Sequence, residues 1–204
     1  DIDAVITTRE LVRMIRSAHI SPDTLEDIAS DRPMQEGSGA GVIFGATGGV
    51  MEAALRSAYY LLKNENPEAD AFKVVRSQGF QENDGVVEAD FAIDDITVKT
   101  AVVSGLANTR ALLEKIERGD VHYDFVEVMA CPGGCVGGGG QPIHDGSELA
   151  EERGKTLYGI DSTAELRFSH ENPTVQLAYK EFLGEPLSKR AHELLHTHIT
   201  DWTL

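Results

Sequence analysis

The sequence has few cysteines, few cations and no long apolar run, and each shortage narrows the possible functions. Only two of the 204 residues are cysteine, so the chain cannot by itself complete an all-cysteine Fe₄S₄ site, which takes four ligands. Lys and Arg number 18 against 34 Asp and Glu, and the resulting charge of −16 argues against nucleic acid as a partner. No apolar stretch is long enough for a membrane span and no signal-peptide pattern opens the chain, so we expect a soluble protein.

Both cysteines lie in one glycine-rich stretch, VEVMACPGGCVGGGGQP, at residues 126–142. Cys131 and Cys135 flank a Pro-Gly-Gly turn, directly after residues that alternate like a strand. Such a turn places two thiolates on one side of a concavity with free backbone N–H groups, which suits an iron–sulfur cluster. A redox pair remains open, whereas a disulfide across so short a ring would remove little chain entropy. A zinc site would usually show a second Cys or His pair, and none is visible.

A second glycine-rich stretch, GSGAGVIFGATGG at residues 37–49, precedes a strongly apolar helical pattern. The only charges in that helix are Glu52 and Arg56, which have the i,i+4 spacing of an ion pair. We expect Thr47 to cap the helix and its N-terminus to face an anion favourably. A tight turn before a core helix is the more common structure for such a pattern, and the Lys-Ser/Thr of a P-loop is absent.

The periodicity along the chain predicts an α/β fold with a mainly parallel sheet flanked by helices and a helical C-terminal arm. Strands are expected at 2–6, 72–75, 86–93, 97–103 and 125–129. Helices are expected at 7–18, from 21, at 50–62, 109–118, within 144–165, at 175–182 and at 189–198. We expect Thr7 and Glu10 to form a capping box, Asn108 to open the helix at 109–118, and the charged residues within 144–165 to form a solvated face. Residues 97–129 would form a β-α-β unit that delivers Cys131 to the carboxyl end of a strand, where ligand sites of α/β sheets collect.

The tail contains a match to the zinc-protease signature HExxH, at His192, Glu193 and His196. Only eight residues follow His196, so a downstream third ligand is not available, and His198 would lie on the wrong face of the helix. A partly exposed helix that carries histidines is therefore the favoured interpretation over a zinc hydrolase.

Three stretches together strongly resemble [FeFe]-hydrogenases, in the order that the family has them. They are FGATGGVMEAALR at 44–56, VMACPGGCVGGGGQP at 128–142 and ENPTVQLAYKEFLGEPLSKRAHELLHTHI at 171–199. The resemblance implies that residues 1–143 are the C-terminal portion of the H-cluster catalytic domain, one lobe of it, and that residues 144–204 are a helical small-subunit-like tail. It also makes the HExxH hydrolase a remote alternative.

The resemblance implies a cofactor and a reaction, the reversible reduction of two protons by two electrons to H₂. Cys131 and Cys135 would bind a cubane Fe₄S₄ cluster, and Cys135 would also bridge to a diiron unit that carries CO, cyanide and an azadithiolate. Four residues would line the pocket of the diiron unit: Phe44, Gly45, Met129 and Ala130.

Two of the family's motifs, resembling TSCCPGW and PCxxKK, are missing, and with them the other two cluster cysteines. We therefore expect this chain to be a C-terminal portion or subunit that needs the remaining N-terminal portion. A ferredoxin or a cytochrome would exchange electrons with it, in the cytoplasm or periplasm of an anaerobe. A non-catalytic iron–sulfur assembly or sensor protein of the same fold is the alternative.

Overall fold

The computed structural model describes residues 3–31, 34, 37–76, 85–146 and 148–196, and these form an α/β arrangement. The strands are β1 (Val86–Ile93), β2 (Ile96–Ser104) and β3 (Phe125–Met129). The helices are α1 (Thr8–Ser17), α2 (Gly39–Val42), α3 (Gly49–Lys63), α4 (Leu106–Glu117), α5 (Ala150–Thr163), α6 (Pro173–Ala178) and α7 (Lys189–Leu195). Short 3₁₀ turns and one π-helical segment, Tyr179–Leu183, join them.

The sheet of the described residues is mixed, in the order β1-β2-β3. β1 pairs with β2 antiparallel, whereas β2 pairs with β3 parallel, with Ser104 opposite Met129 at the carboxyl end. Helix α4 makes the crossover between the parallel strands, as the β-α-β prediction requires. The predicted α/β class with helices around the sheet is thus confirmed. The described sheet is mixed and not mainly parallel, because β1 pairs antiparallel, and the parallel pair leads to the cysteines.

The core lies on both faces of β2, whose second half is buried throughout. On one face, Val102 packs with Met51 and Leu55 of α3. On the other face, Val103 packs with Leu112 of α4. Burial on both faces explains why this strand has an almost continuous apolar run instead of an alternating pattern.

Helix α3 is joined to the tail through a buried network of charges. The Arg56 guanidinium donates to Glu52 at 2.6 Å and to Asp161 of α5 at 2.8 Å. Arg167 donates to the same Asp161 carboxylate at 3.0 Å, and Arg76 donates to Glu52 at 2.6 Å. Burial acts to raise the pKa of Asp161, but the hydrogen bonds from the two arginines hold it below its usual range.

The first part of the chain differs from the sequence prediction. Residues 3–6 form no strand and Val5 is 88% exposed, while residues 1–2 lie outside the described part. The predicted capping box of Thr7 and Glu10 is confirmed, and α1 follows it. A single 3₁₀ turn replaces the helix predicted from residue 21, because the apolar side chains beyond it meet no core among the described residues.

Three further elements differ from the prediction. The strand predicted at 72–75 was wrong: Lys73–Val75 is a 3₁₀ turn, which buries Phe72 and Val75 against α3 without strand pairing. Helix α4 begins at Leu106 because Asn108, the predicted start, bonds the Ser104 carbonyl instead. Helix α7 ends at Leu195, and residues 197–198 of the predicted helix lie outside the described part.

Among the described helices, none combines the length and the apolar character that crossing a membrane requires.

Candidate metal centre

The cysteine turn begins where the parallel strands end. Gly105 donates its N–H to the Met129 carbonyl at 2.8 Å, and Gly134 donates to the Cys131 carbonyl at 2.9 Å. The Ser104 hydroxyl accepts from the Gly133 N–H at 3.1 Å, which ties the turn to the end of β2. Both thiols are free, with Cys131 half-buried and Cys135 exposed. The predicted placement of the cysteines at the carboxyl edge of the sheet is therefore confirmed.

The two glycine-rich stretches contact each other, although Thr47 and Gly133 are 86 positions apart in the sequence. Thr47 donates its N–H to the Gly133 carbonyl at 3.3 Å. Gly134 has a φ of +92°, and a Cβ there would lie 2.6 Å from the Gly45 carbonyl oxygen and 2.8 Å from the Thr47 nitrogen. A hydrogen atom is therefore all that fits between the cysteine turn and the loop of residues 44–47.

A methyl group at Gly134 should accordingly separate these two loops. We expect Gly134→Ala to lower the free energy of unfolding by about 1–3 kcal/mol, since it combines a strained φ with a backbone clash. Gly139→Ala in the same loop is the matched control, because no atom lies within 4 Å of its added Cβ. Denaturant unfolding of both variants checks the prediction, and equal losses of stability would contradict it.

Arg153 of α5 holds the second half of the cysteine loop through hydrogen bonds to two backbone carbonyls. The Arg153 guanidinium donates to the Val136 carbonyl at 2.9 Å and to the Pro142 carbonyl at 2.6 Å. The Gln141 side chain donates to the Cys135 carbonyl at 3.1 Å. A Cβ at Gly138 would lie 3.3 Å from that carbonyl and 3.6 Å from the Cys131 sulfur, so glycine keeps the thiol's surroundings clear.

The donor set fits part of an iron–sulfur site. Two free thiols stand on one glycine-rich loop, and thiolates are the ligands that such clusters select. Within the part of the chain that the structure describes, no group of three or more His, Cys, Asp or Glu side chains could hold a metal ion. The cysteine pair would therefore supply two of the four ligands of an all-cysteine Fe₄S₄ site.

The four residues predicted to line a diiron pocket lie on the two loops that meet at the turn. Gly45 contacts the turn, and the Phe44 ring is 46% exposed on the same loop. Met129 is half-buried at the end of β3, and Ala130 is exposed next to it. The structure brings the two loops together, and the role of these residues in binding stays a prediction.

Glu127 is the residue of this region that the sequence interpretation missed. Its buried carboxylate accepts the N–H of Gly48 at 2.7 Å and that of Met51 at 2.6 Å, in the first turn of α3. The expected anion at this helix N-terminus is thus a side chain of the protein. Thr47 is not the cap, since its Oγ1 is buried and has no hydrogen-bond partner among the described residues. A lone acid within the apolar strand pattern VEVM was the signal available in the sequence.

A cavity of about 580 Å³ opens beside the turn, between the loop of residues 44–47 and α5. Ala46, Thr47 and Gly133 line one side of it, and Gly154 and Tyr158 line the other. Burial, followed by the nearby Glu52 carboxylate, raises the pKa of the Tyr158 hydroxyl. Helix α5 therefore lines a cavity next to the cysteine turn, but neither cysteine lines that cavity.

Among the described residues, the histidines of the HExxH match are not part of a group that could hold a metal ion. The rings of His192 and His196 stack with centroids 4.5 Å apart on the exposed side of α7. Glu193 points to solvent and lies 3.7 Å from Lys189. As stated above, no third ligand accompanies them among the described residues, which supports the interpretation as an exposed helix.

A family model described as iron-only hydrogenase large subunit, C-terminal domain, matches residues 1–139, which is more than half of the chain. The chain belongs to the iron-only hydrogenase family. A second model, described as iron hydrogenase small subunit, matches residues 147–202. The resemblance inferred from the cysteine and glycine motifs is therefore confirmed.

Hydrogenases and an iron–sulfur assembly component are similar to this sequence over nearly the whole chain. A NADP-reducing hydrogenase subunit of Solidesulfovibrio fructosivorans is 46% identical over 97% of this chain and 33% of its own length. The cytosolic iron-sulfur assembly component 3 of Mus musculus is 33% identical over 97% of this chain and 41% of its own length. A solved [FeFe]-hydrogenase structure from Chlamydomonas reinhardtii matches with a TM-score of 0.70 and 39% identity, over 97% of this chain and 55% of that one. The chain thus spans a third to two fifths of these curated relatives.

Proposed function

We propose that this iron-only hydrogenase chain supplies two of the four thiolates of an H-cluster and takes part in the reversible reduction of protons to H₂. The observation that carries the proposal is the contact between the cysteine turn and the loop of residues 44–47. Gly134 lies against Gly45 with no room for a side chain, so the two loops form adjacent walls of one open site. Membership in the hydrogenase family supports the assignment of that site to iron.

Cys131 and Cys135 would hold the cubane Fe₄S₄ cluster in unequal roles. Cys131 is half-buried beneath the glycine run, which suits a ligand of the cubane alone. Cys135 is exposed, which suits a thiolate that also bridges to the diiron unit with its CO, cyanide and azadithiolate ligands. When bound, the diiron unit supplies the site where protons and electrons combine to H₂.

The protein's own contribution is to position the thiolates and to limit access of water. Ser104 and Thr47 fix the backbone of the Pro-Gly-Gly turn, and Arg153 fixes the loop that follows it. Phe44 and Met129 place apolar side chains at the edges of the site, where they would exclude water from the diiron unit.

The two remaining thiolates would come from polypeptide outside this sequence, in the same chain or in another subunit. That polypeptide would cover the exposed face around Cys135 and Phe44. A redox partner, a ferredoxin or a cytochrome, would exchange electrons with the assembled protein.

An iron–sulfur assembly or sensor function is the second candidate, because the assembly component of Mus musculus matches over the same length. The hydrogenase function is favoured by the higher identity to the hydrogenase subunit, 46% against 33%. Phe44 and Met129 also favour it, since a protein that holds only a cubane has less use for apolar side chains beside the bridging thiolate.

The isolated 204-residue chain tests the two-ligand claim. We expect anaerobic treatment with iron and sulfide to leave it without a stable Fe₄S₄ cluster, because half of the ligands are missing. Iron and sulfide analysis together with electron paramagnetic resonance of the reduced sample measures this. One Fe₄S₄ cluster for each monomer, lost on Cys131→Ser, would contradict the claim.

A further inference from the structure

Glu127 closes a hydrogen-bonded ring whose covalent part includes Cys131. From its carboxylate, the chain runs through β3 and Cys131 to Gly133, whose carbonyl accepts the Thr47 N–H at 3.3 Å. The next residue, Gly48, donates its own N–H back to the Glu127 carboxylate at 2.7 Å. Cys131 therefore sits on a closed path that two hydrogen bonds and the Thr47–Gly48 peptide complete.

The Glu127 carboxylate accepts two backbone N–H groups at the N-terminus of α3. Glu127 is 5% exposed, and the described residues provide it with no arginine, lysine or histidine partner. Its two oxygens each accept one backbone N–H, from Gly48 and from Met51. A glutamine in its place would turn an amide N–H₂ towards one of those donors, so one of the two bonds would be lost. Burial nevertheless raises the pKa of Glu127, against the lowering effect of the two N–H groups.

The same carboxylate joins the two walls of the candidate site. Helix α3 begins at Gly49, shortly after the loop of residues 44–47, and a Cβ at Gly49 would clash with Ile43 and lie 3.2 Å from the Phe44 nitrogen at the start of that loop. Holding the N-terminus of α3 on β3 therefore also holds Gly45 against Gly134 of the cysteine turn.

On the basis of the proposed function, we infer that Glu127 is a positioning residue of the metal centre, which sets the place of the cysteine turn relative to the loop of residues 44–47. Its carboxylate is bonded to the N-terminus of α3, so it would not be a ligand of the cluster. It acts through the Gly48 and Met51 N–H groups on one side and through the chain from β3 to Cys131 on the other.

The first test follows backbone opening in the complete metal-free protein that contains this chain. In Glu127→Gln, amide hydrogen exchange should rise by about tenfold both at residues 48–51 and at residues 131–135, since one buried hydrogen bond is lost. Glu88→Gln is the matched control, because Glu88 is on the same sheet and its side chain accepts from the Tyr123 hydroxyl. Faster exchange at 48–51 with no change at 131–135 would overturn the coupling.

The second test uses the cluster-loaded protein. Glu127→Gln should lower H₂ turnover by about 10- to 100-fold at near-normal iron content and should shift the resonance of the reduced cluster. Asp161→Asn replaces the buried carboxylate that pairs with Arg56. This variant should lower the stability of the protein and leave the resonance of the reduced cluster unchanged. An unchanged resonance in Glu127→Gln would overturn the positioning role. If this variant does not fold, Glu127→Asp, which keeps the charge and shortens its reach, is measured in the same way.

The two tests separate this inference from the proposed function. Absence of an H-cluster in the wild-type protein would remove the hydrogenase function, while coupled exchange of the two segments would still support the positioning role of Glu127.

Discussion

Replacing Cys135 with serine is expected to abolish H₂ turnover, with a loss of about 100-fold or more. The exposed Cys135 thiolate is the proposed bridge between the cubane and the diiron unit, so its loss removes a ligand from both. A serine hydroxyl is a poor substitute, because iron–sulfur clusters select soft thiolate ligands. The loss of H₂ turnover should be at least as large as that from removing a hydrogen-bond partner of a metal ligand, which costs about 10- to 100-fold.

The measurement is H₂ evolution by the complete protein, together with its iron content. Cys131→Ser is the companion variant, and it should primarily destabilise the cubane, because Cys131 is the proposed ligand of the cubane alone. Normal turnover in Cys135→Ser would overturn the assignment of the bridging thiolate.

The largest effect on stability is expected from Asp161→Ala. Asp161 is 0% exposed and accepts hydrogen bonds from Arg56 and Arg167. Removing it leaves the buried Arg56 with Glu52 as its carboxylate partner and takes the acceptor from Arg167. Loss of one partner of a buried pair costs about 3–5 kcal/mol of unfolding free energy. Because its pKa is lowered on folding, this contribution is complete above the ordinary Asp pKa of about 3.9 and is lost as the pH falls through the folded value.

Denaturant unfolding near pH 7 measures the loss, and Glu151→Ala is its control on the same helix. Glu151 forms an exposed i,i+4 pair with Lys155 and should contribute no more than about 0.5 kcal/mol. Equal stabilities of the two variants would show that the buried network does not anchor α5 to α3.

Local patterns were sufficient to predict the part of the fold that carries the cysteines. The continuous apolar run of β2, the amphipathic α4 and the strand before Cys131 each follow from their own residues. Because helix α4 connects β2 to β3, these two strands pair in parallel. The parallel pairing places the cysteine turn at the carboxyl edge of the sheet. The thiolate pair was therefore predictable in both identity and place.

Contacts between distant parts of the chain were not predictable from those patterns. Glu127 bonds Gly48, which is 79 positions away, and the acid within an apolar strand showed only that some partner was needed. Residues 3–6 alternate like a strand, but alternation does not provide a neighbouring strand to pair with. Phe72 and Val75 are buried as expected of apolar residues, yet a 3₁₀ turn suffices to bury them.

In the C-terminal tail, too, the long-range partners of charged side chains could not be predicted from the sequence. Its first helix, α5, carries mostly polar residues and was expected to expose a solvated charged face. Exposed charges such as Glu151 agree with that prediction. Asp161 and Arg153, however, make long-range bonds, to Arg56 in α3 and to the Val136 carbonyl of the cysteine loop. Composition cannot distinguish a charge that faces water from one that meets an opposite partner.

Infrared spectroscopy of the complete protein, purified without oxygen from cells that assemble the cluster, tests the central claim most directly. We predict bands of iron-bound CO and cyanide that disappear in Cys135→Ser. Iron without those bands would contradict the hydrogenase assignment and favour the assembly or sensor function, and zinc as the sole metal would contradict both.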